Sequence, residues 1–334
     1  MSYFRRTMRN YSFLCFALWA ALLFALSCRG NSEQKSTSND STQTENQVSE
    51  SPFDADSAYV NVARQVAFGP RTPGSQAHTS CGDWIKAQLT AYGAVVSEQC
   101  VPQTTHDGKE YKMRNIIASY NTDASERILL FAHWDTRPWC DQDDDPAWHN
   151  KPLDGADDGA SGVAVLLEIA RLIQTQGSAK GIDIIFFDLE DYGESNNDES
   201  WCLGSTYWSK HPHVDGYTAQ YGILLDMVGA RGAQFNWEYF SKSNAGHILL
   251  KVWDNARNLG FGNYFISADG AALTDDHIPV ITNRGIPSID IVNYSTSRAK
   301  GFGDHWHTHK DNLDIIDKDV LRAVGATVWA TINE

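Results

Sequence analysis

Apolar runs that end in polar or acidic residues recur along the body of the chain. Four of them are short, rich in β-branched residues and apolar at nearly every position, which is typical of strands buried on both faces. They are Ile128–Ala132, Ile182–Leu189, Tyr221–Leu225 and Ser288–Val292.

Segments with helical periodicity lie between and around these runs. We expect helices over Ala58–Ala67 (with Asp56 as its cap), Ser75–Tyr92, from Val163, over Asn244–Leu259 and over Lys318–Ile332, and further strands over Val95–Val101 and Met113–Ser119. Buried strands separated by helices predict an α/β fold. It is a single domain with a central, mostly parallel twisted sheet flanked by helices on both faces.

Chemically useful side chains follow each of the four buried runs. His133 and Asp135 follow the first run, Glu190 and Asp191 follow the second, and Asp226 follows the third. His307 lies in the long loop after the fourth run, in GFGDHWHTHKDN. Open α/β sheets bind ligands beyond the carboxyl ends of their strands, so we expect these side chains to meet at one edge.

The residue types in this set suit a metal ion. His133 and Asp135 are two apart and point to the same side if the strand continues, and Asp158 lies in a glycine-rich turn before a helix. Imidazole and carboxylate groups are ligands that suit zinc. The simpler alternative is a solvated acidic loop beside a core histidine. His305 and His309 flank His307, and spacing alone does not choose among the three.

The first 51 residues differ in composition from the rest. Residues 1–27 combine three arginines, an apolar stretch from Tyr11 to Leu26 and a small residue before Cys28, as export signals do. We expect a lipoprotein-type signal, with Cys28 as the lipid anchor and the protein on the periplasmic side of a membrane. A cleaved soluble signal and an uncleaved single anchor are the alternatives. Residues 28–51 are polar and predict a flexible tether, and residues 52–334 form the catalytic domain.

The net charge excludes one class of partner, whereas the cysteine content leaves the disulfide state open. The formal net charge is −15 and becomes more negative once the signal arginines are removed, which excludes nucleic acid as a natural partner. Beyond the signal and Cys28 the chain has Cys81, Cys100, Cys140 and Cys202. Four cysteines allow three pairings, and free buried thiols are equally compatible with the sequence.

Seven motifs together carry a resemblance to a known family. They are FGPRTPGS at Phe68, AHWDTR at Ala132, GADDGASG at Gly155, FFDLEDYG at Phe186, LLDMVGA at Leu224, TDDHIP at Thr274 and HWHT at His305. The chain resembles the zinc-dependent aminopeptidase superfamily and, within it, the glutaminyl cyclases, over Phe53–Glu334.

The resemblance implies a role for particular residues. Asp158, Asp191 and His307 would hold one zinc ion per chain, with Asp191 standing where many relatives have Glu. Glu190 would be the general acid/base, supported by Asp226 and Asp275. Trp201 and Trp306 would be walls of the substrate pocket. The implied activity converts N-terminal glutamine of peptides and proteins to pyroglutamate with release of ammonia, and we expect a monomer.

Two other functions are compatible with parts of the sequence. The main alternative is a two-zinc aminopeptidase, because His133, Asp158, Asp191, Asp226 and His307 occupy the positions of its five ligands. Glu190 would then activate a water molecule between the metals. A lipid-tethered peptide-binding module with an inactive site is a third possibility, but it requires a missing catalytic group and none is missing.

Overall fold

The computed structural model describes residues 51–334, whose centre is a six-stranded sheet. Its strands and a separate strand pair, numbered along the chain, are β1 (Val95–Thr104), β2 (Glu110–Tyr120), β3 (Arg127–His133), β4 (Gly181–Phe187), β5 (Tyr221–Asp226), β6 (Phe235–Trp237), β7 (Phe265–Asp269) and β8 (Ser288–Val292). Strands β6 and β7 form the separate pair.

The order of strands in the main sheet is β1-β2-β4-β3-β5-β8. Strands β4, β3, β5 and β8 are parallel, whereas β1 and β2 form an antiparallel extension that joins at β4. The chain runs from β3 to β4 on one side and then to β5 on the other. This reversal opens a crevice at the carboxyl end of β3, where ligands bind in sheets of this kind. The predicted mostly parallel α/β fold is confirmed.

Within residues 51–334, seven α-helices cover the two faces of the sheet. They are α1 (Ala55–Val66), α2 (Gln76–Ala91), α3 (Ala160–Gln176), α4 (Leu203–Lys210), α5 (Tyr239–Asn258), α6 (His277–Arg284) and α7 (Lys318–Ile332). Helices α1, α3, α5 and α7 pack together over the larger apolar core, while α4 and α6 pack against each other over the smaller one. The central strands β3, β4, β5 and β8 are therefore buried on both faces, which explains their continuous apolar composition.

Several element boundaries differ from the sequence-based expectation, and the largest difference is at α5, which begins at Tyr239 instead of Asn244 because Glu238 is its cap. Helix α1 begins three residues earlier, because Asp54, not Asp56, is its cap and accepts hydrogen bonds from the backbone N–H groups of Asp56 and Ser57. Helices α4 and α6 were not predicted, since eight residues give too few turns for a clear apolar period. Strands β6 and β7, with three and five residues, were also missed because they are short.

Cys81, Cys100, Cys140 and Cys202 all carry free thiols, so no disulfide links them. Between residues 51 and 334 no helix combines the length and apolarity that crossing a membrane requires. The predicted export signal, the lipid anchor at Cys28 and nearly all of the tether lie outside the described residues.

Candidate active site

Three neighbouring strands deliver the predicted residues to the crevice. His133 is the last residue of β3 and Asp226 is the last residue of β5. Glu190 and Asp191 follow the end of β4 by three and four residues, after a turn in which Leu189 has a φ of 57°. All four side chains are buried. Residues more than 90 positions apart along the chain thus meet at one rim of the sheet.

Asp158, Asp191 and His307 form a compact trio at this rim. One ligand atom from each lies within 4.8 Å of the other two. His307 Nε2 is 3.3 Å from Asp191 Oδ1 and 3.7 Å from Asp158 Oδ2. The three side chains come from three different loops, so only the tertiary fold brings them together.

The trio fits a zinc ion. Two carboxylates and one imidazole are a common protein ligand set for catalytic zinc, which keeps a fourth position open. Asp191 Oδ2 is buried and has no hydrogen-bond partner among the described residues, although a buried carboxylate oxygen is normally paired. The structure therefore contains an unpaired carboxylate oxygen at the point where a cation would compensate its charge.

The loop that carries Asp158 is held by backbone contacts. The Asp311 carboxylate accepts hydrogen bonds from the N–H groups of Asp157 and Asp158 at 2.7 and 3.1 Å. Gly159 has a φ of 90°, and a Cβ atom there would lie 2.9 Å from the backbone oxygen of Asp135. Only glycine permits this approach, so the GADDG motif is required by the backbone as well as by Asp158.

Arg71 ties the same loop to the end of β3. Its guanidinium is fully buried and donates to the carbonyl oxygens of Asp154, Gly155 and Trp134. This arrangement explains the arginine in the FGPRTPGS motif, which the sequence analysis quoted without a physical role. A buried cation whose donors point at carbonyl oxygens marks a position where two loops must stay together.

The turn that carries Glu190 and Asp191 is held by Asp135 and Arg137. Asp135 accepts hydrogen bonds from the N–H groups of Glu190 and Asp191 at 3.2 and 3.3 Å, so the AHWDTR motif supplies this anchor as well as His133. Arg137 donates to the carbonyl oxygens of Asp191 and Gly193 at 3.1 and 3.2 Å. Its guanidinium also lies 4.8 Å from the ring centre of Trp201. One arginine thus connects a candidate ligand loop with a candidate pocket wall.

The three histidines of the HWHTH segment have different surroundings. His305 Nε2 is 2.8 Å from Asp157 Oδ2, and His309 Nδ1 contacts Asp143 at 2.5 Å. Only His307 faces the two carboxylates of the trio. It has a φ of 54°, so the chain turns sharply and presents alternate histidines in different directions. Spacing could not separate the three because this turn is not visible in the sequence.

Glu190 lies beside the trio among other carboxylates. Burial is the main reason that its pKa is well above the ordinary value, and the charges of Asp275 and Asp191 add to the shift. Burial likewise raises the pKa of Asp275 to about 7, with a contribution from Asp226. One oxygen of Glu190 and one of Asp275 lie within 4.8 Å of each other. Raised pKa values of this kind are typical of groups that act as general acids or bases.

Asp226 takes part in a second trio with His133 and Asp158. His133 Nε2 is 3.2 Å from Asp226 Oδ1 and 3.0 Å from Asp158 Oδ1, so this nitrogen faces two acceptors. Burial raises the pKa of Asp226 to about 7. For Asp158, burial acts in the same direction, but the hydrogen bond from His133 and the charges of His133, His307 and Arg137 together outweigh it and leave the pKa below its ordinary value. Asp158 is shared by both trios.

A cavity of about 210 Å³ opens onto these groups. Trp201 and Trp306 line it together with Asp158, Glu190, Asp191, Asp226, Asp275 and His307. The Trp306 ring stacks on the His307 ring with 4.0 Å between their centres. The eight residues to which the resemblance assigns a role are therefore brought to one cavity, although their individual roles remain predictions.

The backbone around the cavity is strained. Six non-glycine residues between 51 and 334 have positive φ, and two of these are asparagines, which tolerate such turns. The other four are Leu189, Cys202, Met227 and His307, and each adjoins or is a cavity residue. Left-handed backbone in such side chains costs free energy and concentrates at functional sites.

Comparison with known proteins places the chain in a family. Residues 115–332 match Peptidase family M28. A glutaminyl cyclase from Porphyromonas gingivalis is 62% identical, with 84% of this chain and 98% of that one covered and a TM-score of 0.83. A Zn-dependent exopeptidase from Parabacteroides distasonis is 53% identical with the same coverage and TM-score.

A more distant relative is the glutaminyl-peptide cyclotransferase of Bos taurus. It is 26% identical over 239 residues, which are 62% of each chain, so this chain spans somewhat less than two thirds of that relative. The region that matches the family, residues 115–332, includes the strands and loops that build the cavity. The chain belongs to peptidase family M28, a zinc-dependent family, and within it the chain is similar to the bacterial glutaminyl cyclases.

Proposed function

We propose that this protein is a glutaminyl-peptide cyclotransferase. It converts the N-terminal glutamine of peptides and proteins to pyroglutamate and releases ammonia. The observation that carries the proposal is the 62% identity to a glutaminyl cyclase over 98% of that chain, combined with a single cavity that holds the trio, Glu190 and both tryptophans. The reaction closes a five-membered ring within one residue, so folding the glutamine side chain back on its own amine supplies much of the rate.

Asp158, Asp191 and His307 hold one zinc ion in this proposal. When bound, the ion acts as a Lewis acid and polarises the γ-carboxamide oxygen of the substrate glutamine. Trp201 and Trp306 form apolar walls that enclose the folded side chain and keep water away from it. Exclusion of water matters because hydrolysis of the same amide would compete with cyclisation.

Glu190 moves the proton. The α-amine of the substrate attacks the γ-carbonyl carbon, and the Glu190 carboxylate takes a proton from that amine as the new C–N bond forms. Glu190 then returns the proton to the γ-nitrogen, which leaves as ammonia when its bond to carbon breaks. Burial, with a contribution from the charge of Asp275, keeps the pKa of Glu190 high, and Asp226 in turn raises the pKa of Asp275, so that Glu190 can both accept and return a proton.

One zinc ion, not two, is expected because the resemblance to the glutaminyl cyclases assigns only Asp158, Asp191 and His307 as ligands, which leaves His133 to join Asp158 and Asp226 by hydrogen bonds. Its Nε2 lies within 3.2 Å of carboxylate oxygens on both Asp158 and Asp226, and a proton on Nε2 satisfies both acceptors. A second ion at this trio would have to replace that proton. The two-zinc aminopeptidase remains the rival function, since the second trio has ligand atoms as close together as the first.

Two measurements decide between these functions. Purified protein, stripped by a chelator and reloaded with zinc, is incubated with Gln-Ala-type peptides, and pyroglutamyl peptide, ammonia and free glutamine are quantified. We expect pyroglutamyl peptide and ammonia in equal amounts, and one zinc per chain by elemental analysis. Free glutamine together with two zinc ions per chain would replace the proposal with the aminopeptidase.

The location of the enzyme is a separate proposal that depends on the sequence alone. We expect residues 1–27 to direct export, Cys28 to carry a lipid, and residues 28–51 to tether a monomeric catalytic domain (residues 52–334) on the periplasmic side. Cys28→Ser should move the protein from the membrane fraction to the soluble fraction and prevent incorporation of labelled fatty acid. Membrane retention of this variant would contradict the lipid anchor, and analytical ultracentrifugation of the soluble variant tests the monomer.

A further inference from the structure

A buried thiol contacts the proposed general acid/base. Cys202 Sγ lies 3.4 Å from Glu190 Oε1, within hydrogen-bond distance for sulfur. The Cys202 side chain is fully enclosed, with 2% of the residue exposed. The backbone makes a second link between the two residues, because the Cys202 N–H donates to the Glu190 carbonyl oxygen at 3.1 Å. Cys202 therefore holds Glu190 at both its main chain and its carboxylate.

The side-chain hydrogen bond and the backbone conformation of Cys202 are both unusual for a residue that precedes a helix. Cys202 is the N-cap of α4, immediately before Leu203, a place where the side chain of Ser, Thr, Asp or Asn normally accepts a hydrogen bond from a free backbone N–H. The thiol makes no such bond and is directed to Glu190 instead. The residue also has a φ of 56°, a conformation that favours glycine. Both local preferences are overridden in favour of the contact with Glu190.

We propose that Cys202 is a positioning residue for the reaction: its S–H group donates to Glu190 Oε1 and fixes the carboxylate, leaving Oε2 to exchange the proton with substrate. This inference rests on the proposed function. Oε2 has no comparable restraint, since its neighbour His133 Nδ1 is 4.0 Å away. Without the thiol, the carboxylate could rotate and Glu190 would meet the reacting nitrogen in the correct orientation less often.

A thiol suits this task better than most donors. Burial, followed by the charge of Glu190, raises the pKa of Cys202 well above its ordinary value, so the proton stays on sulfur. The S–H group is a weak donor. It can orient the carboxylate without binding it so firmly that proton exchange becomes slow.

The test removes the thiol in two ways and compares it with another buried thiol. Cys202→Ala deletes the donor, and Cys202→Gly deletes it while relieving the left-handed backbone, so at least one of them should fold. Cys202→Ser restores a donor. Cys81→Ala is the matched control, because Cys81 is also fully buried but lies in the apolar core.

We expect kcat for pyroglutamate formation to fall roughly tenfold in Cys202→Ala and Cys202→Gly, as for loss of one hydrogen bond to a charged group, with KM nearly unchanged. Cys202→Ser should recover most of the loss. Cys81→Ala should keep wild-type kcat even if it lowers the melting temperature. Zinc content is measured for every variant, so that a lost metal is not mistaken for a misplaced carboxylate.

Two results would overturn the inference while the function stands. In the first, the variants without a thiol at position 202 keep wild-type kcat. In the second, Cys202→Ser is as slow as Cys202→Ala, which would show that only the shape of the side chain matters. Failure of the wild-type enzyme to form pyroglutamate is a different outcome, because it removes the proposed function itself.

Discussion

A buried carboxylate lies near each end of β4, and the two differ in the hydrogen-bond donors that surround them. Near the start of the strand, Asp183 is 1% exposed and fully paired. Its two oxygens accept hydrogen bonds from Arg127 at 2.6 and 2.8 Å, from Ser119 at 2.6 Å and from Tyr217 at 2.8 Å. Beyond the other end, Glu190 has one thiol as its side-chain donor and lies among further carboxylates.

This difference in donors distinguishes a carboxylate that stabilises the fold from one that can take part in a reaction. A buried carboxylate that is ionised and fully hydrogen-bonded fixes the fold, and removing it leaves its cation unpaired. A buried carboxylate without such partners has a raised pKa and can exchange protons. Asp290 belongs to the second kind, since neither of its oxygens has a hydrogen-bond partner among residues 51–334. Burial alone therefore identifies neither role, whereas the set of donors around the carboxylate does.

The largest effect is expected from Glu190→Gln. We expect turnover to fall by roughly 10²- to 10⁴-fold, because an amide cannot carry the proton, while zinc content and the urea midpoint stay near those of the wild type. Glu168→Gln is the matched control, since Glu168 is equally buried but is paired with Arg171. It should lose stability and keep turnover. Wild-type turnover in Glu190→Gln would remove Glu190 from the mechanism.

The reverse pattern is expected from Asp183→Asn. Loss of the charge leaves the Arg127 guanidinium without its partner, and the free energy of unfolding should fall by about 3 kcal/mol, with normal turnover per folded molecule. Urea denaturation measures the first quantity and an active-site titration the second. Asp290→Asn is the matched comparison. Its free energy of unfolding should fall by much less, because no cation loses a partner. Equal losses in the two variants would contradict the distinction drawn between the ends of β4.

A smaller effect is expected from pH on the zinc-free protein. The pKa of Asp226 and that of Asp275 are raised to about 7, so the folded protein keeps protons that the unfolded chain releases above about 4. Stability should therefore decline as pH rises from about 4 to 7. The pKa of His307 is raised to about 9, chiefly by Asp191 acting against burial, so its contribution is lost between about 6.5 and 9.

The two carboxylates and His307 all make the zinc-free protein less stable as pH rises. Melting temperatures measured in a chelator should decline steadily from pH 5 to pH 9, and Asp275→Asn should make the slope shallower. Zinc should reverse the trend, because its ligands bind it best when they have lost their protons. A melting temperature that rises with pH in the chelator would show that these carboxylates are already ionised in the folded protein at pH 5.

Much of the architecture could be predicted from the sequence for a physical reason. The buried strands have to be apolar on both faces, and this requirement explains why the predicted boundaries of β8 are correct. The predicted boundaries of helix α7 are correct because its apolar residues recur with the helical period. Strand ends then located the candidate residues, because parallel strands share one carboxyl edge. The resemblance to the glutaminyl cyclases supplied the role of each residue, which neither periodicity nor spacing could do.

The features that were missed depend on turns and on contacts distant in sequence. Nothing in the HWHTH segment shows that His305 and His307 face different carboxylates, since the separation arises from one left-handed residue. The contact between Cys202 and Glu190 has the same origin. Arg71 appeared only as a letter in a motif, because its partners are carbonyl oxygens some 60 to 80 residues away, which leave no trace in side-chain chemistry.

The four left-handed residues around the cavity limit how this enzyme can change. Glycine at Leu189, Cys202, Met227 or His307 would suit the backbone but would delete the side chain, and any larger replacement would inherit the unfavourable torsion. Successive single substitutions therefore cannot relieve the backbone strain in these loops and also keep the side chains on which the reaction depends. We expect tolerance to substitution to fall abruptly at these positions and to recover within a residue or two on either side.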